Sequence, residues 1–213
     1  MNKNLTELVL VVDCSASMED IKKEAEAGIN KLLKEQSQEE GECRLTLVEF
    51  SNTAKLVYSN IDLKSIDGYR MKTISMTALY DGVGLAIDTV GDRLAKTDEK
   101  ERPGLVIVAV VTDGLENCSR KYNKSMIREK ISEQTEKYSW VFDYLCNDPV
   151  SAKNAESLNF GDVNVANVKK SKQMYSSLSG KVGRLRKATS RGVTGDELQA
   201  INRYTAIEKE EMA

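Results

Sequence analysis

Histidine does not occur anywhere in the 213 residues of this sequence. An imidazole general base, a Ser-His-Asp triad and a histidine-ligated metal are therefore excluded. Cysteine is scarce, and the four cysteines form no CxxC pair, so their spacing supports neither a disulfide framework nor a zinc site. We expect Cys43 and Cys146 to be small core residues, and the default compartment to be the reducing cytoplasm.

Long apolar runs and an excess of one charge are also missing. No stretch approaches the roughly 20 apolar residues that span a bilayer, and residues 1–13 are typical of a core strand and not of a signal peptide. The net charge of −2 gives no global basic field for nucleic acid. We therefore predict neither a membrane span nor a nucleic-acid partner. The basic run 181–191 is interpreted as a solvated helix face, in preference to an anion-binding patch.

Strand-like and helix-like patterns alternate along the chain. Short apolar runs predict strands at 5–12, 44–50, 54–58, 105–111, 140–146 and 163–168. Apolar residues at helical spacing predict helices at 18–34, 77–94, 123–138, 149–158 and 170–189. Such alternation predicts a mainly parallel sheet with helices packed on both of its faces.

The predicted fold class is therefore an α/β, three-layer, Rossmann-like domain. Segments 44–50 and 54–58 are close enough to form a hairpin, so we expect one antiparallel edge strand. Residues 1–190 are expected to form this domain. Residues 191–213 are expected to be a C-terminal tail, either a short docked helix or disordered.

Three polar clusters follow strands or open helices. Asp13, Ser15 and Ser17 come directly after the first strand, Thr77 opens a helix, and Asp113 follows the strand predicted to be central. In an open parallel sheet, ligands bind at the carboxyl ends of the strands, where the strand order reverses. If the strands that end at Asp13 and Asp113 are neighbours, both carboxylates enter one crevice.

These five side chains offer two carboxylates and three hydroxyls, without nitrogen or sulfur. Hard oxygen donors select Mg²⁺, Mn²⁺ or Ca²⁺ over zinc or copper. Two carboxylates only neutralise such an ion, so it stays attractive to a further acidic oxygen. The sequence therefore predicts a site that binds an Asp or Glu of a partner protein through Mg²⁺, and no enzymatic reaction.

The segments DCSAS, MTALYDG and TDGLEN resemble the metal-ion-dependent adhesion site of von Willebrand factor A domains, particularly small bacterial and phage members. The resemblance covers about residues 5–190 and implies a central sheet flanked by helices, with Mg²⁺ as the usual ion. It implies Ser15, Ser17 and Thr77 as direct ligands, and Asp13 and Asp113 as ligands bound directly or through water.

The sequence departs from this pattern at two positions. Ala16 stands where a glycine is common, and it should be tolerated unless that position needs a positive φ. Met76 stands where a second glycine is common, and it adds bulk at the rim of the predicted site. Neither change removes a ligating oxygen.

Other interpretations of the same residues stay open at this point. Each polar residue taken alone is a helix cap or turn residue, and Glu116 and Asn117 are either rim residues or ordinary loop polarity. A Mg²⁺-dependent hydrolase or phosphatase with Asp13 as nucleophile is the alternative function. The segment lacks the second carboxylate of DxD-type phosphatases, and the chain has no GxxxxGK loop. A fold without a functional metal is a third reading.

Overall fold

A computed structural model describes residues 1–166 and 170–213. The described residues form one six-stranded sheet with helices packed on both of its faces. The strands are β1 Asn2–Asp13, β2 Glu42–Phe50, β3 Ala54–Asp62, β4 Pro103–Thr112, β5 Val141–Cys146 and β6 Asp162–Val165. The helices are α1 Lys22–Gln38, α2 Leu79–Ala95, α3 Lys124–Tyr138, α4 Pro149–Ser157, α5 Ser171–Ser190, α6 Gly195–Ile201 and α7 Ala206–Met212.

The sheet order is β3-β2-β1-β4-β5-β6, with β3 antiparallel to β2 and the other pairs parallel. The predicted fold class, including the antiparallel edge strand, is thus confirmed. From β1 the chain proceeds to one edge of the sheet, and it then returns to β4 and builds the other half. The strand order therefore reverses between β1 and β4, which is where ligands bind in open α/β sheets.

Each face of the sheet carries its own hydrophobic core. Leu8, Leu10 and Val12 of β1 pack on the face covered by α1 and α5. Val9 and Val11 pack on the opposite face, beneath α2, α3 and α4. Because successive strand residues point to opposite faces, burial on both sides requires the near-continuous apolar runs seen in β1 and β4. These two cores fix the carboxyl ends of β1 and β4 side by side.

Several predicted boundaries need correction. Strand β1 begins three residues earlier than predicted, because Asn2 pairs with Pro103 of β4 across an irregularity in the register. Strand β3 continues to Asp62, four residues beyond the prediction. The first helix is preceded by a 3₁₀ helix, Ala16–Ile21, and α1 proper begins at Lys22. For the last predicted strand, 163–168, residues 167 and 168 lie outside the described residues.

The interpretation of 181–191 as a solvated face is wrong for two of its basic residues. Lys181 is 1% exposed and makes ion pairs with Asp143 and Asp162. Arg186 is also buried, and its guanidinium donates to the carbonyl oxygens of Gln36 and Glu40. The Gln36 carbonyl lies in the last turn of α1, where intrahelical donors run out, and Glu40 follows the helix. Both cations are buried because they have partners.

The residues after α5 pack against the domain. Leu198, Tyr204 and Met212 are buried, and the Tyr204 hydroxyl donates to Asp143 over 2.6 Å. Helix α7 begins with a capping box formed by Thr205 and Glu208. The predicted domain boundary at residue 190 stays a prediction. Among the described residues, no helix combines the length and the hydrophobicity that crossing a membrane requires.

Candidate metal centre

Asp13, the last residue of β1, lies at the floor of the crevice between β1 and β4. It is fully buried, and both of its carboxylate oxygens accept hydrogen bonds. The backbone N–H of Ser15 donates to Oδ1 over 2.7 Å, and the Thr112 hydroxyl donates to Oδ2 over 2.5 Å. Thr112 ends β4, so this second bond links the two strands at the point where the sheet order reverses.

A chain of hydrogen bonds leads from Asp13 to Asp113. The hydroxyls of Ser15 and Ser17 lie 2.9 Å apart, and the Ser17 hydroxyl donates to Asp113 Oδ1 over 2.6 Å. Ser17 and Asp113 are separated by 96 positions in the sequence. The structure therefore brings together the first and third predicted clusters, which the sequence placed in different loops.

Thr77 completes the cluster from the segment before α2. It is buried, and a side chain built on Gly114 would place its Cβ 3.4 Å from Thr77 Oγ1 and 3.7 Å from Asp13 Oδ2. Thr77 and Asp13 thus converge on the backbone that follows Asp113. All five predicted residues lie at one end of the β1–β4 pair, and their assignment as metal ligands stays a prediction.

Helix capping does not account for the hydroxyls. Ser15 occupies the N-cap position of the 3₁₀ helix Ala16–Ile21, yet its side chain makes no capping hydrogen bond. The N-cap of α2 is Ala78, one residue after Thr77, and it has no side-chain cap either. The Ser15 hydroxyl instead contacts Ser17, inside the crevice. Both observations favour a role at the site over a local helix cap.

Burial raises the pKa of both carboxyl groups. For Asp13 the desolvation outweighs the hydrogen bonds from Thr112 and Ser15, which lower the pKa, and the nearby charge of Asp113 raises it further. For Asp113 desolvation again dominates, against the lowering effect of the Ser17 hydrogen bond. Desolvation and mutual repulsion disfavour the charged form of two neighbouring carboxylates. A cation between them would stabilise that charged form.

The donor set fits a hard divalent cation. Two carboxylates and three hydroxyls supply oxygen alone, which suits Mg²⁺, Mn²⁺ or Ca²⁺. Nowhere in residues 1–166 and 170–213 do three His, Cys, Asp or Glu side chains gather as a metal-binding group. The five predicted residues do not form such a group, because only two of them, Asp13 and Asp113, are acidic and the other three carry hydroxyls.

Three further residues hold the proposed ligands in place. The sequence carries no signal for Thr112, and it leaves Glu116 and Asn117 open between rim residues and ordinary loop polarity. Thr112 fixes Asp13, as described above. Asn117 holds Thr77 by two bonds, since its N–H donates to the Thr77 carbonyl and its Oδ1 accepts from the Thr77 N–H. Glu116 accepts from the N–H of Tyr80 in the first turn of α2. The sequence signal for the last two was their place beside Asp113, which loop polarity explained equally well.

The two departures from the resemblance have different consequences. Ala16 opens the 3₁₀ helix and is not among the residues with positive φ, so the missing glycine is tolerated as predicted. Met76 is 42% exposed beside Thr77, which agrees with a place on the rim.

Cys14 is buried, and burial raises the pKa of its thiol to about 12, so it is a packing residue and not a reactive thiol.

Solved structures share this architecture at low sequence identity. Proximal thread matrix protein 1 from the mussel byssus is 15% identical with a TM-score of 0.56, covering 84% of this chain and 46% of that one. A von Willebrand factor type A structure from Catenulispora acidiphila is 13% identical with a TM-score of 0.56, covering 83% and 42%. The chain has the fold of a von Willebrand factor A domain. The ArnB paralog VWA2 from Sulfolobus acidocaldarius agrees, with 16% identity, a TM-score of 0.51, and 85% and 45% covered.

The likeness to von Willebrand factor A domains is one of fold alone. No protein-family model matches the sequence, and no curated protein does either. The chain spans less than half the length of the three solved structures named above. Any function that those larger proteins perform as a whole is therefore a separate question for this chain.

Proposed function

We propose that this von Willebrand factor A fold is a protein-interaction module that binds a carboxylate of a partner through a divalent cation. The observation that carries the proposal is the hydrogen bond between Ser17 and Asp113. It joins two oxygen-rich loops from distant parts of the chain at the switch point of the sheet. Asp13, Ser15 and Thr77 surround the same point.

The chemistry of the donors favours Mg²⁺, with Mn²⁺ or Ca²⁺ as alternatives. In one of the similar solved structures, proximal thread matrix protein 1, the metal-ion-dependent adhesion site is occupied by zinc. Zinc in proteins usually takes nitrogen and sulfur ligands. The all-oxygen cluster of this chain fits a harder ion better.

The residues of the cluster leave an ion with little surplus negative charge around it. Asp13 and Asp113 together balance a divalent charge, and Ser15, Ser17 and Thr77 add none. A bound cation would supply an electrophilic point for an acidic oxygen from outside. Asp13 is held from two sides, by the Ser15 N–H and the Thr112 hydroxyl, and so keeps its place while a partner enters. A protein Asp or Glu is the expected partner group.

The geometry argues against the hydrolase alternative. A nucleophilic carboxylate must reach a substrate, but Asp13 is fully buried and both of its oxygens already accept hydrogen bonds. The described contacts of Asp13 and Asp113 include no lysine or arginine that would bind a phosphoryl group. We therefore propose a binding role without catalysis, in a reducing compartment such as the cytoplasm.

Calorimetric titration with Mg²⁺ and Mn²⁺ tests the proposal. We expect one site per chain in the wild type and loss of binding in Asp13→Ala and Asp113→Ala. Ser17→Ala is the milder variant, because Ser17 is exposed and its loss leaves the core intact. Asp88→Asn is the matched control, since Asp88 pairs with Lys130 on the surface of α2 and α3. Absence of binding by the wild type, or equal binding by Asp113→Ala, rules out the proposal.

A pull-down identifies the partner once an ion is shown to bind. The immobilised chain is compared in Mg²⁺ and in EDTA, and the wild type is compared with Asp113→Ala. A partner that binds through the site is retained only by the wild type in Mg²⁺. A partner that EDTA does not release binds elsewhere on the domain.

A further inference from the structure

Each loop that carries a proposed ligand also carries or contacts an exposed apolar side chain. Ile74 is 53% exposed, Met76 is 42% exposed, and Leu115 is 45% exposed. Neighbouring apolar residues in the same segments, such as Met71 and Leu79, are buried, with only 1–2% of their surface exposed. The three exposed side chains are therefore not unused parts of the core, and we call them the apolar rim.

Backbone contacts place the apolar rim around the candidate metal centre. The Ile74 N–H donates to the Cys14 carbonyl over 2.7 Å, between Asp13 and Ser15. Met76 directly precedes Thr77, and its N–H donates to Asn52 Oδ1 over 2.9 Å. Leu115 follows Gly114, on which an added Cβ would lie 3.4 Å from Thr77 Oγ1. The rim residues are thus fixed to the same three loops that hold the proposed ligands.

Two acidic side chains beside the rim, Glu116 and Asp81, are turned inward, whereas Glu19 is exposed and accepts from the Thr73 hydroxyl next to Ile74. The carboxylate oxygens of Glu116 accept hydrogen bonds from the N–H groups of Tyr80, Cys118 and Ser119 and from the Ser119 hydroxyl. Asp81 likewise accepts from three backbone N–H groups, those of Arg120, Lys121 and Tyr122. These carboxylates are therefore not directed at an incoming anion. A cation bound at the centre would have the exposed side chains of the apolar rim among its neighbours at the surface.

We propose that the apolar rim selects a protein partner whose Asp or Glu is flanked by large aliphatic side chains. This inference rests on the proposed function, because the cation supplies the charge that the acidic residue complements. The flanking side chains bury against Ile74, Met76 and Leu115, which removes apolar surface from water on both partners. A partner segment whose acidic residue is flanked by polar side chains would bind through its contact with the cation alone, without this burial of apolar surface.

Two labelled peptides of equal length test the inference by fluorescence anisotropy in Mg²⁺. One has a central Asp between two leucines, and the other has the same Asp between two serines. We expect the leucine peptide to bind at least about tenfold more tightly, a ratio that corresponds to about 1.4 kcal/mol. In the double variant Met76→Ser/Leu115→Ser the two affinities should become equal. Ile207→Ser, which changes an apolar and even more exposed position on α7, should keep the tenfold ratio.

Calorimetry with Mn²⁺ on the same proteins separates the two proposals. Unchanged Mn²⁺ binding by the double variant, with loss of the peptide preference, supports the rim as a selector. Mn²⁺ binding together with equal affinity for both peptides, or with no peptide binding, overturns the rim inference and leaves the metal site standing. Absence of Mn²⁺ binding by the wild type overturns the proposed function, and the rim inference with it.

Discussion

Replacing Lys181 by methionine should destabilise the domain strongly. The ammonium group lies 3.1 Å from Asp143 Oδ2 and 2.9 Å from Asp162 Oδ2, and it lies over the ring of Tyr204. All four side chains are buried. Methionine fills a similar volume but leaves Asp143 without a counter-ion in a desolvated site, while Asp162 keeps only the half-exposed Arg203 at 3.8 Å. Removing one member of such a buried group costs about 3–5 kcal/mol.

Urea unfolding measures this loss, with the single tryptophan, Trp140, as a buried fluorescent probe. For a chain of this size, about 3–5 kcal/mol corresponds to a fall in melting temperature of about 6–20 °C. Lys187→Met is the matched control on the same helix. Its side chain is 60% exposed and pairs with Glu39, so the change should be about 0–1 kcal/mol. A loss below about 1 kcal/mol in Lys181→Met would refute the reasoning.

The same variant should also depend on pH in a definite direction. Burial raises the pKa of Asp143, and Lys181 is the main group that lowers it, so removing Lys181 raises the pKa further. The folded state then holds the proton more tightly than the unfolded chain. Stability therefore falls as the pH rises from the unfolded pKa towards the folded one. Lys181→Met should lose less stability at pH 5 than at pH 8.

Three further changes test other parts of the structure. Gly84→Ala should lower the free energy of unfolding in urea by about 1–3 kcal/mol, because the new Cβ would lie 2.6 Å from the Tyr122 ring. In the control Gly91→Ala, in the same helix, the new Cβ meets nothing within 4 Å, and the free energy of unfolding should rise by about 0.4–1 kcal/mol. Thr112→Val should weaken Mn²⁺ binding about 10–100-fold in calorimetry by releasing the buried carboxylate, and an unchanged affinity would argue against its positioning role. A disulfide reagent at pH 8 should label Cys118 alone in the folded protein and all four thiols in denaturant; fast labelling of a second thiol would contradict the burial of the other three.

The order of elements was predictable from the sequence because the central strands β1, β4 and β5 are buried on both faces. That burial demands continuous apolar runs, and such runs in β1, β4 and β5 are visible without a structure. The ends of the elements were less predictable. Strand β1 extends through the polar residues Asn2–Asn4 because β4 offers a partner, which is information from another part of the chain.

The candidate ligands were predictable because Asp13, Ser15, Ser17 and Asp113 follow strands whose ends had to share one edge of the sheet, and Thr77 was placed there by its position before a helix. Their supporting residues were not. Thr112 stands at the end of an apolar strand and Asn117 in a polar loop, and their importance depends on contacts with residues far away in sequence. Neither position carries a local signal that distinguishes a positioning residue from an ordinary one.

The burial of Lys181 was not predicted, for a different reason. A basic run suggests a solvated face, but helical spacing places Lys181 three residues after Leu178 and four before Leu185, on the buried stripe of α5. That signal was present in the sequence. Its meaning required the acidic partners Asp143 and Asp162, which come from two strands of the sheet.

Because the proposed metal centre is divided between β1 and β4, ion binding there would report on folding itself. An unfolded chain holds Ser17 and Asp113 far apart, so it has no preformed site, and a cation would stabilise only the paired strands. During synthesis, the ribosome must release the chain past Asp113 before the two loops can meet. A partner that requires the cation is therefore unable to engage an incomplete domain.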